Sequence, residues 1–207
     1  MDYQFENSFY MTPVRKVSCR FTVQGSRFIG TIRPVSSEQA AQEVLSQISG
    51  EFPGATHHAY AFRIGMGSSL IERSSDDGEP AGSAGAPMLQ VLKGNNIADA
   101  IVIGTRYFGG TRLGIGGLTR AYRDCARLSI EEANFCKKEP AELYHFELQY
   151  EYLGPLTRLI ESLEGKIMAA DYKESVTLKV KIPVKLNSQL LAGFESICRG
   201  QGNWFKL

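Results

Sequence analysis

Six glycines fall in residues 104–117, in the run Gly104-Thr105-Arg106-Tyr107-Phe108-Gly109-Gly110-Thr111-Arg112-Leu113-Gly114-Ile115-Gly116-Gly117. A glycine-rich turn that carries a strand into a helix leaves backbone N–H groups unpaired and lets a ligand come close to the chain. The helix start adds a partial positive charge worth about 0.3–1 kcal/mol to a nearby anion. Phosphate is the natural guest. The run lacks the Lys-Ser/Thr ending of a P-loop, and its glycines do not fit a dinucleotide fingerprint with a downstream acid. The same glycines also suit a tight turn that lets a helix lie close to a sheet, and both readings stay open.

Charge around this run is uneven. Arg106, Arg112, Arg120, Arg123 and Arg127 face one acid, Asp124, a local charge of +4. Interleaved with Tyr107, Phe108 and Tyr122, they form a pattern suited to stacking bases and contacting phosphates. Upstream, Glu72, Asp76, Asp77 and Glu79 outnumber Arg73, a local charge of −3. Either the two segments neutralise each other or the arginines form a basic patch. The binding candidates are Arg106, Tyr107, Arg112, Gly114, Gly116, Gly117, Arg120 and Arg123. A second, loop-borne group is Asp76, Asp77 and Glu79 with His58.

The acids of Ser74-Ser75-Asp76-Asp77-Gly78-Glu79-Pro80 offer hard oxygen ligands but match no EF-hand spacing, and a solvated turn fits them equally, so no metal is assigned. His57 and His58 are adjacent at a strand start, so they point to opposite faces and at most one serves a given site. Each reads as a hydrogen-bonded structural histidine. No serine or cysteine has a histidine at a recognisable nucleophile spacing, so no catalytic residue and no cofactor are assigned.

The elements that must position these residues follow from periodicity. At 207 residues and 43% hydrophobic, the chain has enough apolar surface for two small cores. Residues 14–23 alternate as a strand, and 28–35 form a second one after a turn at Gly25 and Ser26. Ser36 with Gln39 fits a capping box for a helix that Gly50 stops. Strands are expected at 58–64 and 70–73, a polar loop at 74–87, a short helix at 88–94 and a buried strand at 100–105. From Leu118 a helix follows with Ala121, Tyr122, Cys125 and Leu128 on one side and Arg120, Arg123 and Arg127 on the other. Lys137-Lys138-Glu139-Pro140 has the composition of a linker, which divides the chain into domains 1–137 and 138–207.

Beyond the linker the order is β-α-β-β-α-β: strand 143–150, helix 154–163 with Pro155 in its first turn, strands 167–172 and 175–182, helix 188–198 with Asn187 as N-cap, and strand 203–206. This is a ferredoxin-like order, and the whole is α+β. A net charge of +1 gives no global field toward nucleic acid or membrane, so any binding surface is local. The four separated cysteines read as free thiols of a reducing compartment. Met1, Asp2 and Glu6 do not open a secretory signal, and no apolar run reaches the roughly 20 residues of a membrane span. A cytoplasmic protein without membrane partners is expected.

The stretch from Glu72 through Ser74-Ser75-Asp76-Asp77-Gly78-Glu79-Pro80 and Ala81-Gly82-Ser83-Ala84-Gly85-Ala86-Pro87-Met88, with Thr105-Arg106-Tyr107-Phe108-Gly109-Gly110 and Leu113-Gly114-Ile115-Gly116-Gly117-Leu118, resembles the IMPACT family signature. Ser26-Arg27-Phe28-Ile29 and the strand start at His57 extend the resemblance over roughly residues 20–133. The second domain is similar to that of the bacterial, YigZ-type, two-domain members. The resemblance implies a first domain similar to domain IV of elongation factor G and the GHMP kinases, and a second similar to that factor's C-terminal domain. It also implies a non-enzymatic regulator or accessory factor linked to translation, with RNA, the ribosome or a translation-associated protein as partner and no sequence-specific reading of DNA. The other class kept open is an enzyme or sensor holding a phosphorylated small molecule at the glycine-rich helix start, with Asp76, Asp77 or Glu79 placing a metal or acting as base.

Overall fold

Alternation of apolar and polar residues sets the first sheet in place: strand β2 (Val17–Val23) turns Val17, Cys19, Phe21 and Val23 inward and Ser18, Arg20 and Thr22 out. The computed structural model describes residues 9–207, so the reading of Met1, Asp2 and Glu6 lies outside the described residues. The chain forms two compact units, Phe9–Lys138 and Glu139–Leu207, and the fold is α+β.

In the first unit a five-stranded antiparallel sheet runs in the order β2, β3 (Ser26–Pro34), β6 (Ala100–Tyr107), β4 (His57–Ile64), β5 (Ile71–Ser75). Between β2 and β3, Gln24 and Gly25 take positive φ of 46° and 81°, the backbone of a two-residue hairpin turn. Ser26 is therefore the first residue of β3 and not part of the turn. Helix α1 (Glu38–Glu51) is capped by Ser37, one residue later than expected, whose hydroxyl accepts from the Ala40 N–H; the helix passes through Gly50. Helix α2 is Gly85–Gly94 and helix α3 is Gly114–Glu131.

Both sheet faces are covered. On one, Ala41, Val44 and Ile48 of α1 pack on Phe62, Ile64, Ile101 and Ile103. On the other, Met88 and Leu92 of α2 and Leu118, Ala121, Tyr122 and Cys125 of α3 pack on Phe28, Ile32, Ala59, Ala61 and Val102. Strands β3 and β4 are parallel to each other with β6 between them, and β5 and β6 are parallel with β4 between them. Each parallel pair is joined through one helix. Two such crossovers of equal hand, related by a half-turn in the sheet plane, would lay both helices on one face. Because α1 and α2 lie on opposite faces, one crossover is left-handed, against the strong right-handed preference.

The presumed linker is in part a strand. Strand β7 (Phe135–Lys138) pairs antiparallel with β1 (Tyr10–Pro13), matching Tyr10 to Lys138. Asp99 ties this ribbon to the sheet, its Oδ2 accepting from Tyr10 Oη at 2.7 Å and from Lys138 Nζ at 2.8 Å.

The second unit has the order β8 (Ala141–Leu148), α4 (Tyr150–Ser162), β9 (Lys166–Tyr172), β10 (Val176–Pro183), α5 (Asn187–Cys198), β11 (Asn203–Lys206), with sheet order β11-β8-β10-β9, all antiparallel. Helix α4 starts earlier than expected, at Tyr150, which places Pro155 inside it. Asn187 is the first helical residue of α5 and not its cap; its side-chain amide donates to Glu142.

Candidate functional site

The register of two central strands builds the site. His57 on β4 lies opposite Arg106 on β6, so both project from the sheet face that carries α2 and α3. Glu79 comes to them from the loop between β5 and α2. Arg106 Nη1 donates to both Glu79 carboxylate oxygens, at 2.9 and 3.1 Å, and Nη2 donates to Ser26 Oγ at 3.2 Å. Tyr122 Oη on α3 donates to Glu79 Oε1 at 2.7 Å. His57 Nδ1 sits 2.6 Å from the Asp77 carbonyl, which can only accept, so Nδ1 carries the proton; Nε2 faces Glu79 at 3.9 Å.

Arg106, expected on the binding surface, is only 5% exposed, and Glu79 is buried with it. Burial, then the hydrogen bond to Glu79, pushes the Tyr122 phenol far above its ordinary value, so it stays a donor. The Arg106 Nε–H has no partner among the described residues.

The rest of the acidic loop is spent on structure. The N-cap of α2 is Ala84, which has no side chain able to cap it. Asp76 does this from eight residues upstream: Oδ1 accepts from the Ala84 and Gly85 N–H groups, each at 2.9 Å, and Oδ2 from Gly82 at 2.8 Å. Burial pushes the Asp76 carboxyl up, but the three N–H groups outweigh it and hold its pKa below the ordinary value. A carboxyl held low in the folded chain contributes stability in full above its unfolded value of 3.8 and loses it as pH falls through the folded value. Asp76→Ala should therefore cost about 1–2 kcal/mol at neutral pH, the size of a lost helix cap. Urea titrations should show that cost shrinking below pH 3.8.

Asp77 accepts the His58 N–H at 2.6 Å, and His58 Nδ1 lies 3.1 Å from Thr105 Oγ1 on the α1 face. Burial holds the His58 imidazole below its ordinary pKa. His58 is thus set apart from the Glu79 group, and His57, left outside the candidates, belongs to it. Glu72 pairs with Arg63 and Lys93. Of the arginines in the basic segment, Arg106 alone meets the acidic loop. Arg127 pairs with Asp124 and Glu131 along its own helix. Arg112, Arg120 and Arg123 are exposed and have no ion pair among the described residues. Tyr107 donates its hydroxyl to the Pro53 carbonyl and carries the Arg27 guanidinium 4.2 Å over its ring.

Over the buried pair opens a pocket of about 270 Å³ lined by Glu79, Arg106, Phe108, Arg112, Gly114 and Ile115, with Pro80, Leu113 and Leu118 completing its wall. Phe108 is 48% and Ile115 64% exposed at its rim. Gly114 opens α3 at φ +70°, and the first turn has neither a capping side chain nor an acid, so its N–H groups stay open to an anion. Gly116 is exposed beside Arg120, whereas a Cβ at Gly117 would come 3.0 Å from Leu113 Cβ, which makes Gly117 a packing residue. Among the described residues no group of three or more His, Cys, Asp or Glu could hold a metal ion. Nor is any helix among the described residues long and apolar enough to cross a membrane.

The fold and site define a two-unit α+β protein whose first unit carries a glycine-rich helix start over a buried Arg-Glu pair. Residues 24–130 match the Impact N-terminal domain. The chain is 33% identical to the IMPACT family member YvyE of Bacillus subtilis over 85% of this chain and 81% of that one. It is 31% identical to the IMPACT family member YigZ of Escherichia coli, over 92% and 94%. Protein IMPACT of Xenopus laevis is 32% identical over 54% of this chain and 36% of its own length. A crystal structure of a hypothetical protein superposes with a TM-score of 0.71 at 29% identity, covering 97% of this chain and 98% of that one. The chain belongs to the IMPACT family.

Proposed function

We propose that this IMPACT family protein is a non-enzymatic accessory factor of translation that binds RNA, on the ribosome or free, through the start of α3. The observation that carries the reading is the trio Arg112, Arg120 and Arg123, exposed and without carboxylate partners among the described residues, with Arg112 sharing a pocket with the exposed ring of Phe108 and the open first turn of α3, and Arg120 and Arg123 farther along that helix. Unpaired guanidiniums bind phosphates without first breaking an internal salt bridge, and an exposed ring accepts a base of any sequence. The tie to translation rests on the family resemblance.

Filter binding to ribosomes and to a single-stranded RNA at several salt concentrations tests it. The triple variant Arg112→Ala, Arg120→Ala, Arg123→Ala should bind at least tenfold more weakly at low salt. The slope of log affinity against log salt should fall by about 2, at about 0.7 per lost phosphate contact. No binding by the parent at low salt, or binding that the triple variant leaves unmoved, ends the reading.

The pocket supports a second reading, a phosphorylated small molecule held at the Gly114 helix start near the unpartnered Arg106 Nε–H. Saturable thermal stabilisation by one member of a nucleotide and phosphometabolite panel, with or without magnesium, would favour it, and a flat panel would remove it.

A further inference from the structure

In the second unit helices α4 and α5 cover one face of the sheet, and among the described residues of the unit no helix lies on the other. Tyr144, Phe146 and Leu148 of β8 and Val176, Leu178, Val180 and Ile182 of β10 lie under Leu156 and Ile160 of α4 and Leu190 and Phe194 of α5. The alternate residues therefore project from the face that carries neither helix. Strand pairing arranges them in rows. Phe205 lies opposite His145, His145 opposite Lys179, and Lys179 opposite Ala169. The next row runs Leu143, Lys181, Lys166.

Two features of this face point to one kind of occupant. The first is aromatic: Phe205, 53% exposed, stacks on the His145 ring with centroids 4.6 Å apart and planes 20° from parallel. The pair stands on the sheet as a flat-sided column that a further ring can extend. The second is charge. Lys166, Lys179 and Lys181 are exposed and make no ion pair among the described residues. The carboxylates Glu147 and Asp171 stand in the row on the opposite side of the ring pair from Leu143, Lys181 and Lys166, and both are already engaged: Glu147 accepts from Ser175 Oγ and Asp171 pairs with Lys173. A stacked ring pair bordered by unneutralised ammonium groups is complementary to a base and its phosphates.

We infer that the open face of the C-terminal sheet is a second binding surface for single-stranded RNA, on which a base stacks against the Phe205 and His145 rings while Lys179, Lys181 and Lys166 contact the backbone phosphates. It is independent of the arginine surface on α3, so either can fail alone. The partner chemistry is set by the sheet: base recognition by stacking tolerates any sequence, and long lysine stems track a flexible strand.

The test uses the full chain and a fluorescein-labelled oligouridine, titrated by anisotropy in both the parent and the Arg112→Ala, Arg120→Ala, Arg123→Ala background. Phe205→Ala should weaken binding about tenfold, within the range of one lost base stack, and Phe205→Trp should restore it. Lys179→Ala with Lys181→Ala should lower the salt slope by about 1.4. All these positions face solvent, and matching thermal melts verify that the variants fold. Affinity and salt slope unchanged in both sheet variants, with the arginine variant alone defective, overturns the inference and leaves the α3 reading standing. A sheet defect with silent arginines does the reverse. If Phe205→Ala instead abolishes a self-association seen by sedimentation and leaves RNA affinity unchanged, the face joins two copies of this chain and the RNA inference fails.

Discussion

Glu79→Ala should destabilise the protein by about 3–5 kcal/mol in urea unfolding, the cost of leaving a buried charge without its partner. Arg106 is held against Glu79 at 2.9 Å with the side chains of both almost wholly buried, so removal of the carboxylate leaves the guanidinium inside with only the Ser26 hydroxyl to bond. The Tyr122 phenol loses its acceptor in the same step. A buried ion pair adds little net stability over an apolar replacement, whereas half of one is costly. The double variant Glu79→Leu with Arg106→Met should therefore recover most of the loss. A single-variant loss below about 1 kcal/mol would mean that water reaches the pair and that it is not part of the core. The cluster also fixes where the binding strength of the first unit lies: its most buried cation is already neutralised, which leaves an incoming anion to Arg112, Arg120 and Arg123.

How much of this was legible in the sequence depended on the range of the interaction. Helix α3 was readable because its face is a local property: Leu118, Ala121, Tyr122 and Cys125 are buried while Arg120 and Arg123 are exposed. The β-α-β-β-α-β order of the second unit was readable for the same reason, with boundaries displaced by a few residues at Tyr150 and Asn187. Pairings that close over long stretches of chain were not. Strand β7 has a burial pattern of one half-buried and three exposed residues, so no alternation marks it, and its partner β1 begins at Tyr10. His57 read as a structural histidine because the sequence shows no partner acid for it; its link to Glu79 exists only through the register that sets it opposite Arg106. Asp76 had the composition of a metal ligand and serves as a cap, because the N–H groups it accepts belong to backbone, which composition does not show.

Gly30→Ala should cost about 3 kcal/mol and should loosen α3 before the rest of the sheet. Gly30 lies on β3 directly beneath α3, and a Cβ there would stand 2.2 Å from the Cys125 carbonyl oxygen and 2.7 Å from Ser129 Oγ. The first of these is backbone, so no rotamer change relieves the overlap and the helix itself has to move. Cys125 supplies the readout. Its thiol is wholly buried, and burial pushes its pKa well up, so in the parent it should be inert to a thiol reagent while the exposed Cys136 reacts. In Gly30→Ala, Cys125 should begin to react in native buffer, and modification mapped by mass spectrometry distinguishes it from Cys136. Because Arg120 and Arg123 ride on the same helix, the variant should also weaken RNA binding in proportion to the Cys125 exposure. If Cys125 stays protected and stability holds, α3 accommodates the methyl group, and the close approach at Gly30 is not what fixes the height of the arginine surface over the sheet.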